Sequence, residues 1–188
     1  MKRIQSIRGY TILEMLIALF ITGIITATGF QFYVSMHNQS LTQEEISDMQ
    51  QNVRVTLDEL TKTVRMAGYK TGAHEAYHIN GDSLYIFYAG TTQPIDTILY
   101  FMADHSSYEL SRFPDNIQPR KLMKQINSDT ASVFAEFINK ISYRAISPSV
   151  VVVDVQIVSS KPDEKYADNN GFRTIEVEEN VTLRNALL

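Results

Sequence analysis

Charged and apolar positions divide the chain into three regimes. Lys2, Arg3 and Arg8 crowd the first stretch, Glu14 follows, and no Asp, Glu, Lys or Arg then occurs from Met15 to Gln43. Within that stretch the apolar run from Met15 to Val34 is interrupted mainly by Thr22, Thr26, Thr28 and Gln31. As a helix the run is about 30 Å long, enough to span a hydrocarbon core. The cations precede it, which predicts a cytoplasmic N-terminus and a single-pass anchor in the inner (cytoplasmic) membrane, with everything after Val34 outside the cytoplasm. Beyond Gln43 the apolar residues Ile46, Met49, Val53, Leu57, Leu60 and Val64 recur three or four apart, one clean helical stripe. Glu44, Glu45, Asp48, Gln51, Asp58, Lys62 and Arg65 lie mostly off it, and Asp58 with Lys62 makes a favourable i,i+4 pair. The first proline is Pro94, and Gly68 stands where a C′ glycine would end the helix. The spacing therefore predicts one helix from Tyr10 to Ala67, about 87 Å long. It is apolar all round in its first half (10–34) and amphipathic in its second (35–68).

After Gly68 the period becomes extended. Strands are predicted at 83–88, 97–102, 107–113, 137–146, 150–158 and 173–183, and a short helix over Arg120–Ser128. Turn chemistry separates them at Asn80-Gly81-Asp82, Asp104, Pro114-Asp115-Asn116, Pro148 and Asp168-Asn169-Asn170-Gly171. A long helix followed by strands indicates an α+β fold, with the amphipathic half of the helix packed on an antiparallel β-sheet domain over residues 69–188.

Composition changes this picture little. At 188 residues there is room for one such domain, and 44% hydrophobic with 20% charged residues is ordinary for a folded chain. The formal charge is −4, with no basic patch, so no electrostatic footprint for nucleic acid exists. Tyr85, Phe87, Tyr100 and Phe101 accordingly read as core and cross-strand packing and not as a base-stacking surface. With no cysteine, disulfides and thiolate metal sites are excluded.

Glu14 is the residue that most needs explaining. A carboxylate at the mouth of a membrane segment is costly, and needs a partner or a capping role. Thr11-x-x-Glu14 before an apolar run has the form of a capping box. The capping box does not account for Gly9 after the basic stretch. Gly9, Tyr10, Thr11, Ile12, Leu13 and Glu14, followed by about twenty apolar residues, resemble the type IV prepilin signature residue by residue; Tyr10 stands where Phe is usual. The resemblance implies a leader of residues 1–9, cleavage between Gly9 and Tyr10 by a prepilin peptidase, and N-methylation of Tyr10. It further implies an assembly role for Glu14, whose carboxylate would pair with the terminal amine of a neighbouring subunit. Loss of the leader removes its three cations and takes the formal charge to −7.

Two further segments sharpen the resemblance. Gln51-Asn52-Val53-Arg54 through Arg65-Met66-Ala67-Gly68-Tyr69 is similar to the PilW-like minor pilins, and Val181-Thr182-Leu183-Arg184-Asn185 looks like their last strand. The implied protein is a structural subunit and not an enzyme, needing no cofactor, that helps initiate pilus assembly in a minor-pilin complex. Its implied partners are other minor pilins and the major pilin, the prepilin peptidase, the inner-membrane assembly machinery and membrane lipid. Its implied destination is the filament at the cell surface. A minor pseudopilin of a type II secretion system shares the same N-terminal mechanics.

Three other patterns carry chemistry. His74-Glu75-Ala76-Tyr77-His78 satisfies H-E-x-x-H, which on a helix would bind zinc with Glu75 as general base and make the chain a membrane-anchored protease. Leu84 occupies the third-ligand position of the longer form, and glycines flank the pair, so a polar loop is expected instead. Asp163, Glu164, Asp168, Asn169 and Asn170 cluster oxygen atoms suited to Ca²⁺ without EF-hand spacing, and read as a solvated turn. The sequons at Asn38 and Asn180 fall in a predicted helix and strand and read as chance.

Overall fold

The structure, a computed structural model, describes residues 10–72, 74–90, 94–106, 110–163 and 165–185. One helix, α1 (Ile12–Met66), is followed by β1 (Tyr77–Asn80), β2 (Ser83–Tyr88), β3 (Asp96–Asp104), β4 (Arg120–Ile126), β5 (Ser132–Ser147), β6 (Val150–Val158) and β7 (Thr174–Thr182); a short 3₁₀ turn, Asp168–Gly171, precedes β7. The chain divides into two compact units, one ending at Gln43 and the other beginning at Glu44.

The first unit is helix alone. Its apolar side chains are exposed on every face, from Leu16 and Phe20 to Phe30 and Tyr33. Thr22, Thr26 and Thr28 each turn the hydroxyl back onto the carbonyl four residues earlier, at 2.8–2.9 Å. That contact satisfies the only polar groups these side chains bring to an otherwise apolar surface.

The second unit packs the rest of α1 on a seven-stranded sheet whose order is the chain order, each strand antiparallel to the next. The helical stripe does what its spacing predicts. Met49, Val53, Leu57, Leu60 and Val64 are buried against Leu84, Ile86, Ile98, Tyr100, Leu122 and the inward residues of β5, β6 and β7, while Ile46 is half-buried. Polar links tie the two layers together. The Lys124 ammonium meets Glu59 at 2.6 Å, and the Thr63 hydroxyl shares a hydrogen bond with the Tyr100 phenol at 3.1 Å. Partial burial pushes the Lys124 pKa down, but the hydrogen bond to Glu59 and the nearby negative charge outweigh it and hold it above its ordinary value.

Several expectations are corrected. Arg120–Ser128 is not a helix: Arg120–Ile126 is β4, paired on both sides. Its Arg, Lys, Leu, Met and Gln are good helix formers, but burying Leu122 and reaching Glu59 with Lys124 requires alternate residues on one face, and tertiary pairing overrides propensity. No strand forms over the described part of 107–113. Leu110 is helical, its N–H bonded to the Ser106 carbonyl at 3.1 Å, and a turn follows in which the Phe113 N–H bonds the Leu110 carbonyl. It delivers Phe113 onto Phe172, ring centroids 4.5 Å apart, in a second apolar cluster with Ile117, Val158 and Phe137. β5 starts at Ser132, five residues before its expected start. Two register shifts against β4 and a positive φ of 58° at Phe137 bend it, and they break the regular alternation that would have marked the extra length. β1 was expected as loop; four residues are too few to carry a period.

Candidate assembly site on the N-terminal helix

The start of α1 is built by Thr11 and Glu14. The first N–H groups of any helix lack intrahelical acceptors. Here the Thr11 hydroxyl accepts from the Glu14 N–H at 3.2 Å, and the Glu14 carboxylate accepts from the Thr11 N–H at 2.8 Å and from its hydroxyl at 3.0 Å. The reciprocal pair is a capping box, with Thr11 as N-cap and Glu14 at N3. Both contacts of the carboxylate fall on Oε2. Tyr10 is 82% exposed just ahead of the cap, beside exposed Ile12 and Leu13. Gly9, the other half of the expected cleavage site, lies outside the described residues. Tyr10 and Glu14 are thus placed on one solvent-open helix start.

At the opposite end of α1 the geometry is closed. The helix stops at Met66, and Gly68 follows with φ of +75°. Its N–H does not return to a helical carbonyl, as a C′ residue's would, but bonds the Phe87 carbonyl on β2 at 2.8 Å. The chain after β7 closes on the same point. The Arg184 N–H reaches the Arg65 carbonyl at 3.3 Å, and a Cβ on Gly68 would lie 2.8 Å from the Asn185 carbonyl oxygen and 3.0 Å from the Ala76 Cβ. Glycine is required there twice over, by the backbone angle and by the close approach. The two segments singled out in the sequence, Arg65–Tyr69 and Val181–Asn185, therefore meet in space.

The candidate metal sites take other shapes. His74 lies in a bend and His78 on β1, so the helix that would set two histidines on one face is not formed; His78 Nδ1 sits 3.9 Å from Glu75 Oε2 and its ring tilts against Tyr85. Among the described residues no three His, Asp or Glu side chains converge as a metal site would need. In the 160–173 loop Asp163 accepts from Arg173 Nε at 3.1 Å and Nη2 at 2.7 Å, and the Asn169 side-chain Oδ1 accepts from Asn116 Nδ2 at 3.1 Å. The Arg173 hydrogen bonds, with that of the Lys165 N–H, hold the Asp163 carboxyl below its usual pKa range. Glu164 lies outside the described residues. Asn38 sits within α1 and Asn180 within β7.

Sequence reasoning missed two contacts that fix the helix to the sheet domain, Glu59 with Lys124 and Glu45 with the Ser160 N–H and hydroxyl. Lysine within the apolar alternation of β4 was the available signal for the first.

α1 is long and apolar enough to cross a membrane. No curated protein and no solved structure matches the chain. Residues 4–30 match the family model of the prokaryotic N-terminal methylation motif. That segment contains Gly9, Tyr10, Thr11 and Glu14 and runs straight into the apolar helix, and it supports a pilin- or pseudopilin-type protein with a pilus-related membrane anchor.

Proposed function

We propose that this chain is a minor subunit of a type IV pilus, a structural protein without enzymatic activity that helps to start the filament. It is cleaved between Gly9 and Tyr10 by the prepilin peptidase, methylated at Tyr10, and held in the inner membrane by residues 10–34. Other minor pilins, the major pilin and the assembly machinery of the inner membrane are its partners, and Glu14 pairs with the terminal amine of a neighbour. The methylation motif at residues 4–30 carries the pilin-type part of this reading. The minor-pilin part is supported by the docking of Arg65–Tyr69 against Arg184 and Asn185, which unites the two segments that resemble PilW-like chains.

Mass spectrometry of the chain recovered from sheared pili tests processing and location together. The expected N-terminus is N-methyl-Tyr10, and Gly9→Val blocks its formation. An intact Met1 terminus in filaments overturns the processing. A mature chain found only with a type II secretion apparatus assigns the pseudopilin role instead.

A further inference from the structure

Among the described residues several stretches of strand lack a partner strand on one side: β1, β7, β3 beyond Tyr100, β5 beyond Ile138 on its β4 side, and the start of β5 on its β6 side. β1 is only four residues long. β7 carries Glu176 and Glu178 on one face and the inward-pointing Glu179 on the other. A short edge and a charged edge are both defences against the addition of a further strand. The stretch at the start of β5 is internal. β5 pairs with β4 from Ser132 onward, but its pairing with β6 begins only at Ile138. Over residues 132–137, Ser-Val-Phe-Ala-Glu-Phe, one side of the strand pairs with no other strand among the described residues, and the one charge there, Glu136, is paired with Lys121 at 3.3 Å.

The same residues line a notch. An open cavity of about 330 Å³ lies between Gln51, Asn52, Val55 and Thr56 of α1 and Val133–Phe137 of β5. Its rim mixes polar side chains such as Gln51 and Asn52 with accessible apolar ones: Val55 is 54% and Val133 49% exposed. The notch is held open at both ends. Glu59 grips Lys124, whose neighbour across the ladder is Ser132, and Glu45 grips Ser160, just past the last residue of β6. The helix therefore runs antiparallel to residues 132–137, with Glu44 and Asp48, on the same helical face as Gln51 and Val55, at the Phe137 end.

We propose that this notch takes an extended segment of another protein chain, which adds as a strand to residues 132–137 of β5. Main-chain hydrogen bonds to the open side of β5 supply the affinity, and alternate side chains set the register. The side chains facing the helix are apolar, to cover Val55 and Phe134. The end lying beside Phe137 is cationic, to meet Glu44 and Asp48. This inference does not depend on which filament the chain serves.

The test uses the full chain in detergent micelles and a fluorophore-labelled peptide of alternating valine and threonine preceded by two lysines. The expected result is saturable binding, weakened about tenfold or more by Val55→Asp and less by Asp48→Lys, with the latter effect lost at high salt. Val55 and Asp48 are both exposed, so neither substitution disturbs the core. Backbone amide exchange should slow on binding at 132–137 and not at β1 or β7. The proposal is overturned by no saturable binding in the millimolar range, by equal binding to Val55→Asp, or by protection at β7 in place of β5.

Discussion

Gly68 and Gly72 form a matched pair that separates backbone strain from close approach. Both have positive φ, +75° and +67°, so alanine at either site meets the same unfavourable backbone region, at about 1–2 kcal/mol. Around Gly72 nothing lies within 4 Å of an added Cβ. At Gly68 the Cβ would sit 2.8 Å from the Asn185 carbonyl oxygen and 3.0 Å from the Ala76 Cβ. The first is a backbone atom, so it moves only if the chain after β7 moves, and such overpacking adds about 1–3 kcal/mol. Gly72→Ala should therefore cost about 1–2 kcal/mol and Gly68→Ala about 2–5 kcal/mol. Urea unfolding of the detergent-solubilised chain, followed by tyrosine fluorescence, reads both as shifts of midpoint at constant slope. Truncation after Leu183 should return Gly68→Ala most of the way to the Gly72→Ala level, once both are referred to their own glycine parents. Equal costs for the two glycines, or no relief on truncation, would refute the argument from close approach.

Leu60→Ala, at a side chain with no exposed surface, should cost about 2–5 kcal/mol in the same assay; a change below about 0.5 kcal/mol would mean that the helix does not pack on the sheet. Asp163 has a depressed folded pKa, so its contribution is present above the unfolded value near ~3.9 and is lost as pH falls through the folded one; the midpoint gap between wild type and Asp163→Asn should close on acidification below about pH 4, and a gap that persisted there would refute the Arg173 pairing. The purified chain should hold no stoichiometric zinc by elemental analysis; one zinc per chain, lost in His74→Ala, would restore the protease reading. Glu14→Gln keeps the capping geometry and removes the charge, whereas Glu14→Leu removes both. If pairing with a neighbour's amine drives assembly, both variants lose co-purification with the other minor subunits, and full recruitment of Glu14→Gln would leave capping as the only role.

How much the sequence reveals depends on whether a local period survives tertiary demands. The helix and its buried stripe were legible because Met49, Val53, Leu57, Leu60 and Val64 keep a single helical period to the end. β2 and β6 were legible to the residue, since Ser83–Tyr88 and Val150–Val158 are bounded by Asn80-Gly81, Pro148 and a polar loop. β4 was not, because it holds Arg120 and Lys124 beside Leu122, and only partners distant in sequence, Asp82 for Arg120 and Glu59 of the helix for Lys124, explain cations there. The start of β5 was hidden by its register shifts, which put residues on faces that no simple alternation predicts. At the N-terminus, residue types and spacing were sufficient to predict the capping box, because that motif is closed within four residues. The meeting of Gly68 with Asn185 depends on the return of the last strand, which no local pattern encodes.

The capping observed at Glu14 would favour the pairing with a neighbour's amine proposed above. An unconstrained glutamate loses about 1.5–2 kcal/mol of rotamer freedom when it is fixed. Here two hydrogen bonds from Thr11 to its carboxylate hold it within its own chain, before any neighbour arrives. Both end on Oε2, and neither uses Oε1. An approaching ammonium then meets an acceptor whose ordering cost is already met, the general benefit of preorganisation. The apolar side chains around it, Ile12, Leu13 and Met15 among them, strengthen the attraction once a second helix or lipid excludes water from the pair. Threonine at position 11 is in this view part of the recognition apparatus. Thr11→Val should weaken recruitment while leaving the charge at Glu14 intact, because it removes the hydroxyl that both caps the helix and holds the carboxylate; recruitment equal to wild type in that variant would show that the orientation of Glu14 is irrelevant to assembly.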